Sequence, residues 1–370
     1  MRSVLKYIKS DPLVVLLLAL PLVLLAQSMH WSAAAIFLIA CIGIVPLASL
    51  IGKSTEDLAA HTGPQLGALL NATLGNAAEL IITISAIRAG LLELVLASIT
   101  GSIIGNLLLV MGLSMVVGGV RHGIQKFDRV NASRNAILLV LAVIALVIPS
   151  IFSAYVGETP VTVTEAGHSA VEALSIGVAV IMLVLYGLGI FDARLASRQN
   201  GAMHSPISVT LPQSEVPHVP MWQSFVMLAI ATAGVVWMSE TLVHVAEEVI
   251  LSVGISEFFL GIILVPLIGN VAEHLVAVQV AAKNKMDLST EIAVSSSIQI
   301  ALFVAPLLVF ISLLMGHPMQ LIFNQFELLA LLAAVAIAVL VSNDGESTWL
   351  EGAALLGIYL ILGIAFFVLP

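Results

Sequence analysis

Run after run of about 20 apolar residues leaves a chain few folds, because a run of that length spans the hydrocarbon core of a bilayer. Such runs fall near 12–28, 31–52, 62–88, 91–119, 132–154, 168–190, 222–246, 257–282, 288–315, 324–341 and 350–369. They are continuous rather than alternating, so each reads as a helix and not as a barrel strand. Composition agrees: of 370 residues, 60% are hydrophobic and only 9% charged, against roughly 25% charged in a soluble domain. The expected fold class is an all-α polytopic membrane protein of about eleven transmembrane helices, with the lipid bilayer as its solvent. A net charge of −9 without a basic cluster excludes nucleic acid as a partner. The single cysteine, Cys41, excludes a disulfide scaffold.

The positive-inside rule gives a direction. With the N-terminus in the cytoplasm, Arg2, Lys6, Lys9, Lys53, Arg121, Lys126, Arg129, Arg134, Arg194, Arg198, Lys283 and Lys285 all fall inside, and only Arg88 falls outside. Met1 to Ser28 imitates a secretory signal, with Ala26-Gln27-Ser28 as a weak cleavage site, but its apolar stretch is long for one and reads as an uncleaved first span. The polar stretch 191–221, with Pro206, Pro212, Pro217 and Pro220, reads as a cytoplasmic linker between two halves.

Those halves share a motif. Leu66 to Glu79 and Leu260 to Glu273 both follow L-G-x-x-L-x-x-x-x-G-N-x-A-E without a gap. Leucine and glycine are cheap in a membrane; a glutamate is not. The first copy lies in a span running outward and the second in a span running inward. Matching motifs in opposed helices indicate an inverted repeat with a binding site near the bilayer midplane. The expected organisation is an N-terminal helix (1–30), a first repeat of five helices (31–190), the linker (191–221) and a second, inverted repeat of five helices (222–370).

Asn76 and Glu79 share a helix face, as do Asn270 and Glu273. If the copies face one another, two carboxylates and two amides converge, and Gly75, Gly269 and Pro266 allow the helices to break there. Ser102 and Asn106 in the fourth span, and Ser296 and Gln299 in the ninth, are placed to add oxygens, with Ser102 and Ser296 in the same register of the repeat. Such an all-oxygen set suits a hard divalent cation, calcium before magnesium, and not zinc. Without a cation, two adjacent ionised carboxylates in low dielectric are unfavourable by several kcal/mol, so they hold protons. Metal and protons then compete for Glu79 and Glu273, which is sufficient for exchange. His274 points about 100° away from Glu273 around the helix; it either relays protons or simply packs.

At Gly75-Asn76-Ala77-Ala78-Glu79-Leu80 and Gly269-Asn270-Val271-Ala272-Glu273-His274 the sequence resembles the Ca2+/H+ antiporters, the cation/proton exchanger branch of the calcium/cation antiporter superfamily. The flanks His61-Thr62-Gly63-Pro64, Leu69-Leu70-Asn71-Ala72 and Val265-Pro266 are similar too, as are Gly101-Ser102 with Asn106 to Val110, and Ser296 to Val304. The resemblance implies eleven spans, exchange of calcium for protons by alternating access, and cation binding by Glu79 and Glu273 with Asn76, Asn270, Ser102 and Gln299. Calcium is then a transported substrate, and no cofactor is implied. Two departures stand out: the central linker holds only Asp192 and Glu215 instead of an acidic run, and there is no long hydrophilic N-terminal extension like that of plant vacuolar members. The second favours a prokaryotic plasma-membrane exporter.

Blander readings remain for several residues. Ser102, Ser296, Asn106 and Gln299 serve equally as packing groups, and Gly101-x-x-x-Gly105 and Gly63-x-x-x-Gly67 read as helix-packing faces. The outer acids Glu158, Glu165, Glu172, Glu240, Glu247, Glu248 and Glu257 read as a solvated rim. The rival functions are a sodium-coupled or manganese-preferring exchanger of the same fold, and a cation channel. No motif specifies the oligomeric state.

Overall fold

A computed structural model describes residues 12–156, 170–200 and 219–368. Among these, seven helices are long and apolar enough to cross a membrane, or eight if one bent pair counts as a single span. In chain order the helices are α1 (Leu13–Ser28), α2 (Ala33–Leu74), α3 (Ala77–Arg88), α4 (Leu92–His122), α5 (Arg129–Val156), α6 (Ala170–Asn200), α7 (Met221–Val253), α8 (Glu257–Gly269), α9 (Val271–Ala281), α10 (Met286–Leu314), α11 (Gln325–Val341) and α12 (Trp349–Val368). The bent pair is α8 and α9, which meet at 60°; α1 and α11 are the shorter apolar helices.

Three boundaries differ from those read off hydropathy. The stretch 53–61, expected as a loop, is helical within α2, and the side chains of Thr55, His61 and Thr62 bond back to carbonyls one turn earlier. The axis nonetheless folds sharply there. A Cβ on Gly67 would lie 2.8 Å from the Ala59 carbonyl oxygen, whereas a straight helix places positions eight residues apart about 12 Å from one another. Gly63-Pro64 falls at this bend, and proline removes an amide donor from the ladder. Secondly, α7 continues past residue 246 to Val253, where Gly254 in the left-handed region ends it, so Glu247 and Glu248 are helical. Thirdly, α6 runs to Asn200, ten residues into the expected linker. The rest of that linker up to residue 218, the basic N-terminus to residue 11, and Glu158 and Glu165 lie outside the described residues.

Burial sorts the helices. In their most apolar windows α4 and α10 are 72% and 67% buried, while α6 and α12 are 28% and 17% buried. The core therefore forms around α4 and α10, and α6 and α12 turn apolar side chains such as Leu185, Leu360 and Ile364 outward, as lipid-facing helices do. α2 packs along α7 more extensively than any other helix pair.

The ends of the bundle are also sorted. His122 and Gln125 reach the carbonyls of Ala282 and Ala281 at 3.0 and 3.1 Å, and the Asp128 amide donates to the Asp287 carboxylate. A feature that an all-α reading misses ties this end together: β1 (Gln125–Lys126) pairs antiparallel with β2 (Glu346–Ser347), joined by a Lys126–Glu346 ion pair at 3.3 Å. At the other end Arg88 meets Glu240 at 3.3 Å, the Leu94 amide donates to Glu257, and Ser150 and Ser175 hold the strand-like stretch Leu321 to Phe323. Loops that the charge count assigns to one side thus touch one another.

Candidate ion-binding site

Both copies of the motif break their helix at the same residue. α2 ends before Gly75, and Asn76 takes φ −96°, ψ 20° before α3 begins. α8 ends at Gly269, and Asn270 takes φ −105°, ψ 7° before α9 begins. Glu79 and Glu273 consequently occupy the first turn of α3 and of α9. The preceding helices point their C-terminal carbonyls at the breaks, where the partial negative charge of a helix end favours a cation.

The two breaks face each other. A Cβ on Gly75 would lie 3.5 Å from Glu273 Oε1, and one on Gly269 would lie 3.7 Å from Glu79 Cβ. Each glycine therefore sits against the glutamate of the opposite half. The core helices supply a serine to each acid at the same spacing of 23 residues: Ser102 on α4 donates to Glu79, and Ser296 on α10 donates to Glu273 Oε2 at 2.7 Å.

Cross-half hydrogen bonds close the constellation. Asn76 Nδ2 donates to Gln299 Oε1 at 2.8 Å. Asn270 Nδ2 donates to Ser102 Oγ at 3.1 Å and to the Pro266 carbonyl at 3.2 Å, the carbonyl being close because Pro266 is four residues back along the broken helix. The structure thus brings Glu79, Glu273, Asn76, Asn270, Ser102, Ser296 and Gln299 together. Asn106 is drawn elsewhere: its Oδ1 meets His274 Nε2 at 3.1 Å. That bond places His274 against α4, one side-chain layer from the carboxylates. Asn76 Oδ1, Glu79 Oε2 and Asn106 Nδ2 are buried without a hydrogen-bond partner, and a buried polar atom left so costs about 1–3 kcal/mol. The two acceptor oxygens among them are the groups a cation would satisfy.

Helix periodicity also brings α4 and α10 a shared irregularity. Gly105–Val110 and Ile300–Val304 are π-helical turns, a widening that is concentrated at functional sites. Each begins within a turn of the side chains just named. Gly101 has a packing role as well: a Cβ there would fall within 2.6 Å of the Ile262 carbonyl carbon of α8, so α4 and α8 touch backbone to backbone. Gly105 has nothing within 4 Å and takes no part in that face.

A cavity of about 190 Å³ reaches this constellation, lined by Gly75, Gly269, Glu273, Ser295, Ser296 and Gln299 at its inner end and by Ser49, Lys53 and Glu56 on α2 ahead of its bend. Glu79 does not line it and is 1% exposed. Lys53 and Glu56 are lining residues that motif reading passed over, and Asn71 entered it only as part of a flank; the signal available was a Lys and a Glu three residues apart at the end of an apolar run. Among the described residues no three acid, imidazole or thiol side chains converge, in keeping with a shell of two carboxylates and neutral oxygens.

Opposed broken helices, paired acids and a polar cavity in an apolar bundle define a membrane protein that moves ions, not an enzyme. Residues 32–191 and 223–368 match the sodium/calcium exchanger protein family, and the chain belongs to it. It is 43% identical over 366 residues to the Ca2+/H+ antiporter of Aphanothece halophytica, covering 96% of each chain. It is 43% identical over 353 residues to the Ca2+/H+ antiporter ChaA of Bacillus subtilis (strain 168), covering 94% of this chain and 96% of that one. The solved structure of native YfkE superposes with a TM-score of 0.79 at 41% identity, covering 96% of this chain and 99% of that one. The resemblance read from the motifs therefore extends over nearly the whole chain.

Proposed function

We propose that this protein is a secondary antiporter that exchanges cytoplasmic Ca2+ for protons by alternating access, with the metal and the protons competing for Glu79 and Glu273. The names of its relatives support calcium and protons as the cargo. The observation that carries the residue assignment is the facing of the two breaks, each glycine against the opposite glutamate and each glutamate bonded to a serine 23 residues away. Asn76, Asn270, Ser102, Ser296 and Gln299 complete the oxygen shell together with water. Asn106 acts through His274, which sits beside the shell and holds or passes protons.

In this reading the apolar helices make eleven crossings, with α2 beyond its bend and α3 together forming one of them. Two inverted five-helix units follow the first helix, with the N-terminus in the cytoplasm of a prokaryotic cell and the protein in its plasma membrane. The cavity lined by Lys53 and Glu56 then opens to the cytoplasm and exposes Glu273 to it, as befits the cation-loading side.

The test is 45Ca uptake into proteoliposomes under an imposed pH gradient. Glu79→Gln and Glu273→Gln are each expected to abolish it; full activity in either defeats the site assignment. Uptake driven by a sodium gradient without a pH gradient would instead establish a sodium-coupled exchanger, and an uncoupled ionic current would establish a channel.

A further inference from the structure

A second polar cavity lies one helix away, on the opposite side of α10. It is about 140 Å³ and is bounded by the start of α5, by α10 and by the end of α11. Asp287 and Glu291 line it from α10. They are four residues apart and share a helix face, an arrangement in which like charges repel. No lysine or arginine is among the lining residues.

Two polar groups there also lack a hydrogen-bond partner. Asn135 is 7% exposed, lines the cavity, and its amide makes no hydrogen bond with any described residue. Glu291 Oε1 is buried without a partner, and the hydroxyl of Ser342, at the end of α11, also borders the space. Asp128 is already committed. Its carboxylate caps α5 by accepting from the amides of Val130 and Asn131 at 2.8 and 3.2 Å, and its own amide fixes Asp287. Asp287 is thus held in place by a backbone donor while the rest of its carboxylate is left to the cavity. Asp287 is exposed at the rim while Glu291 is half-buried, and a carboxylate and an amide facing a space with no positive group are costly to bury, a cost that a cation offsets.

We propose that this cavity is a second cation site, off the transport path, that holds a partly hydrated divalent cation such as Ca2+ through Asp287, Glu291, Asn135 and Ser342. The donors are all oxygen. Calcium accepts six to eight of them in irregular geometry, so water supplies the remainder. The site has only two carboxylates, so it binds more weakly than a closed cage. α10 is the wall between the two cavities: Ser295 Oγ, which borders the transport cavity, donates to the Glu291 carbonyl at 2.6 Å. A cation on one face of α10 therefore bears on the helix that carries Ser296 and Gln299 on the other.

The experiment is equilibrium 45Ca binding to the purified full chain. In Glu79→Gln/Glu273→Gln protein one Ca2+ per chain is expected to remain, and adding Glu291→Gln with Asn135→Leu is expected to remove it. With the wild-type transport residues, Glu291→Gln alone lowers the count from two to one while 45Ca uptake under a pH gradient persists, which shows that the variant folds. No residual ion in the doubly substituted protein, or a residual ion indifferent to Glu291→Gln, overturns the proposal. Two ions retained in Glu79→Gln/Glu273→Gln protein, one of them lost with Glu291→Gln, would uphold this site and defeat the transport-site reading instead.

Discussion

Gly101→Ala tests how tightly the site depends on helix contact. The added Cβ would meet the Ile262 backbone, with 2.6 Å to the carbonyl carbon and 2.8 Å to Cα. Ordinary contact is about 3.4 Å or more, and the Ile262 carbonyl oxygen is nearer still, so α4 and α8 must part by roughly an ångström or more. No rotamer relieves the overlap, because both partners are backbone. Overpacking of this kind costs about 1–3 kcal/mol, against about 1 kcal/mol regained from replacing a helical glycine. The net loss is about 0–2 kcal/mol of stability, but transport is expected to suffer more. Ser102 is the next residue and donates to Glu79, and a displacement of that size exceeds the tolerance of a hydrogen bond between buried groups. Gly105→Ala is the control: nothing lies within 4 Å of its Cβ position, and it is expected to be neutral or slightly stabilising. The assays are thermal inactivation in detergent and 45Ca uptake in proteoliposomes. If the two alanine variants prove equally stable and equally active, the backbone contact between α4 and α8 is not what positions Ser102.

Three further outcomes follow from the same geometry. Apparent Ca2+ affinity falls as pH falls, because protons held on Glu79 and Glu273 must leave before the metal enters; each proton displaced contributes up to about tenfold per pH unit, and a binding isotherm that stays fixed between pH 6 and pH 8 removes the competition mechanism. Ser296→Ala removes a donor to a carboxylate, worth about 1.5–3 kcal/mol, so Ca2+ affinity measured by isothermal titration at constant pH should drop by roughly 10–100-fold. Arg88→Ala breaks an ion pair whose side chains are 73% and 52% exposed; such pairs contribute at most about 1 kcal/mol, and unchanged uptake with a nearly unchanged melting temperature is expected.

Much of the proposed transport site was legible because a membrane makes polar residues costly, so a glutamate repeated in register at 79 and 273 carries information that a leucine does not. Ser102 and Ser296 were found by the same register, and the structure gives them the same role. Asn106 and His274 could not be paired from sequence, since their contact depends on how α4 crosses α9. The bend of α2 was also hidden: hydropathy sees a polar interval at 53–61 and infers a loop, whereas the backbone stays helical and changes direction near Gly63-Pro64. The acids outside the repeated motif were harder still. Glu291 lies in a run whose serines and apolar residues carry no period, and Glu327 stays inconspicuous because it is a capping-box residue, accepting the Asn324 amide at 2.7 Å.

The two motif copies differ where their sequences do not. Both glutamates sit three residues after a broken asparagine and both are held by a serine at the same distance along the chain, yet Glu79 is sealed while Glu273 lines a cavity. The asparagine, glutamate and serine that the copies share do not produce that difference, so it resides in the surroundings. Glu273 looks into the space left beside the bend of α2, whereas Glu79 lies under α4 and the break of α8. In this structure access to Glu273 is therefore set by how α2 sits against the core and not by the acids themselves. The proposed exchange cycle needs only that arrangement to change, for the same pair of carboxylates to be presented to the other side.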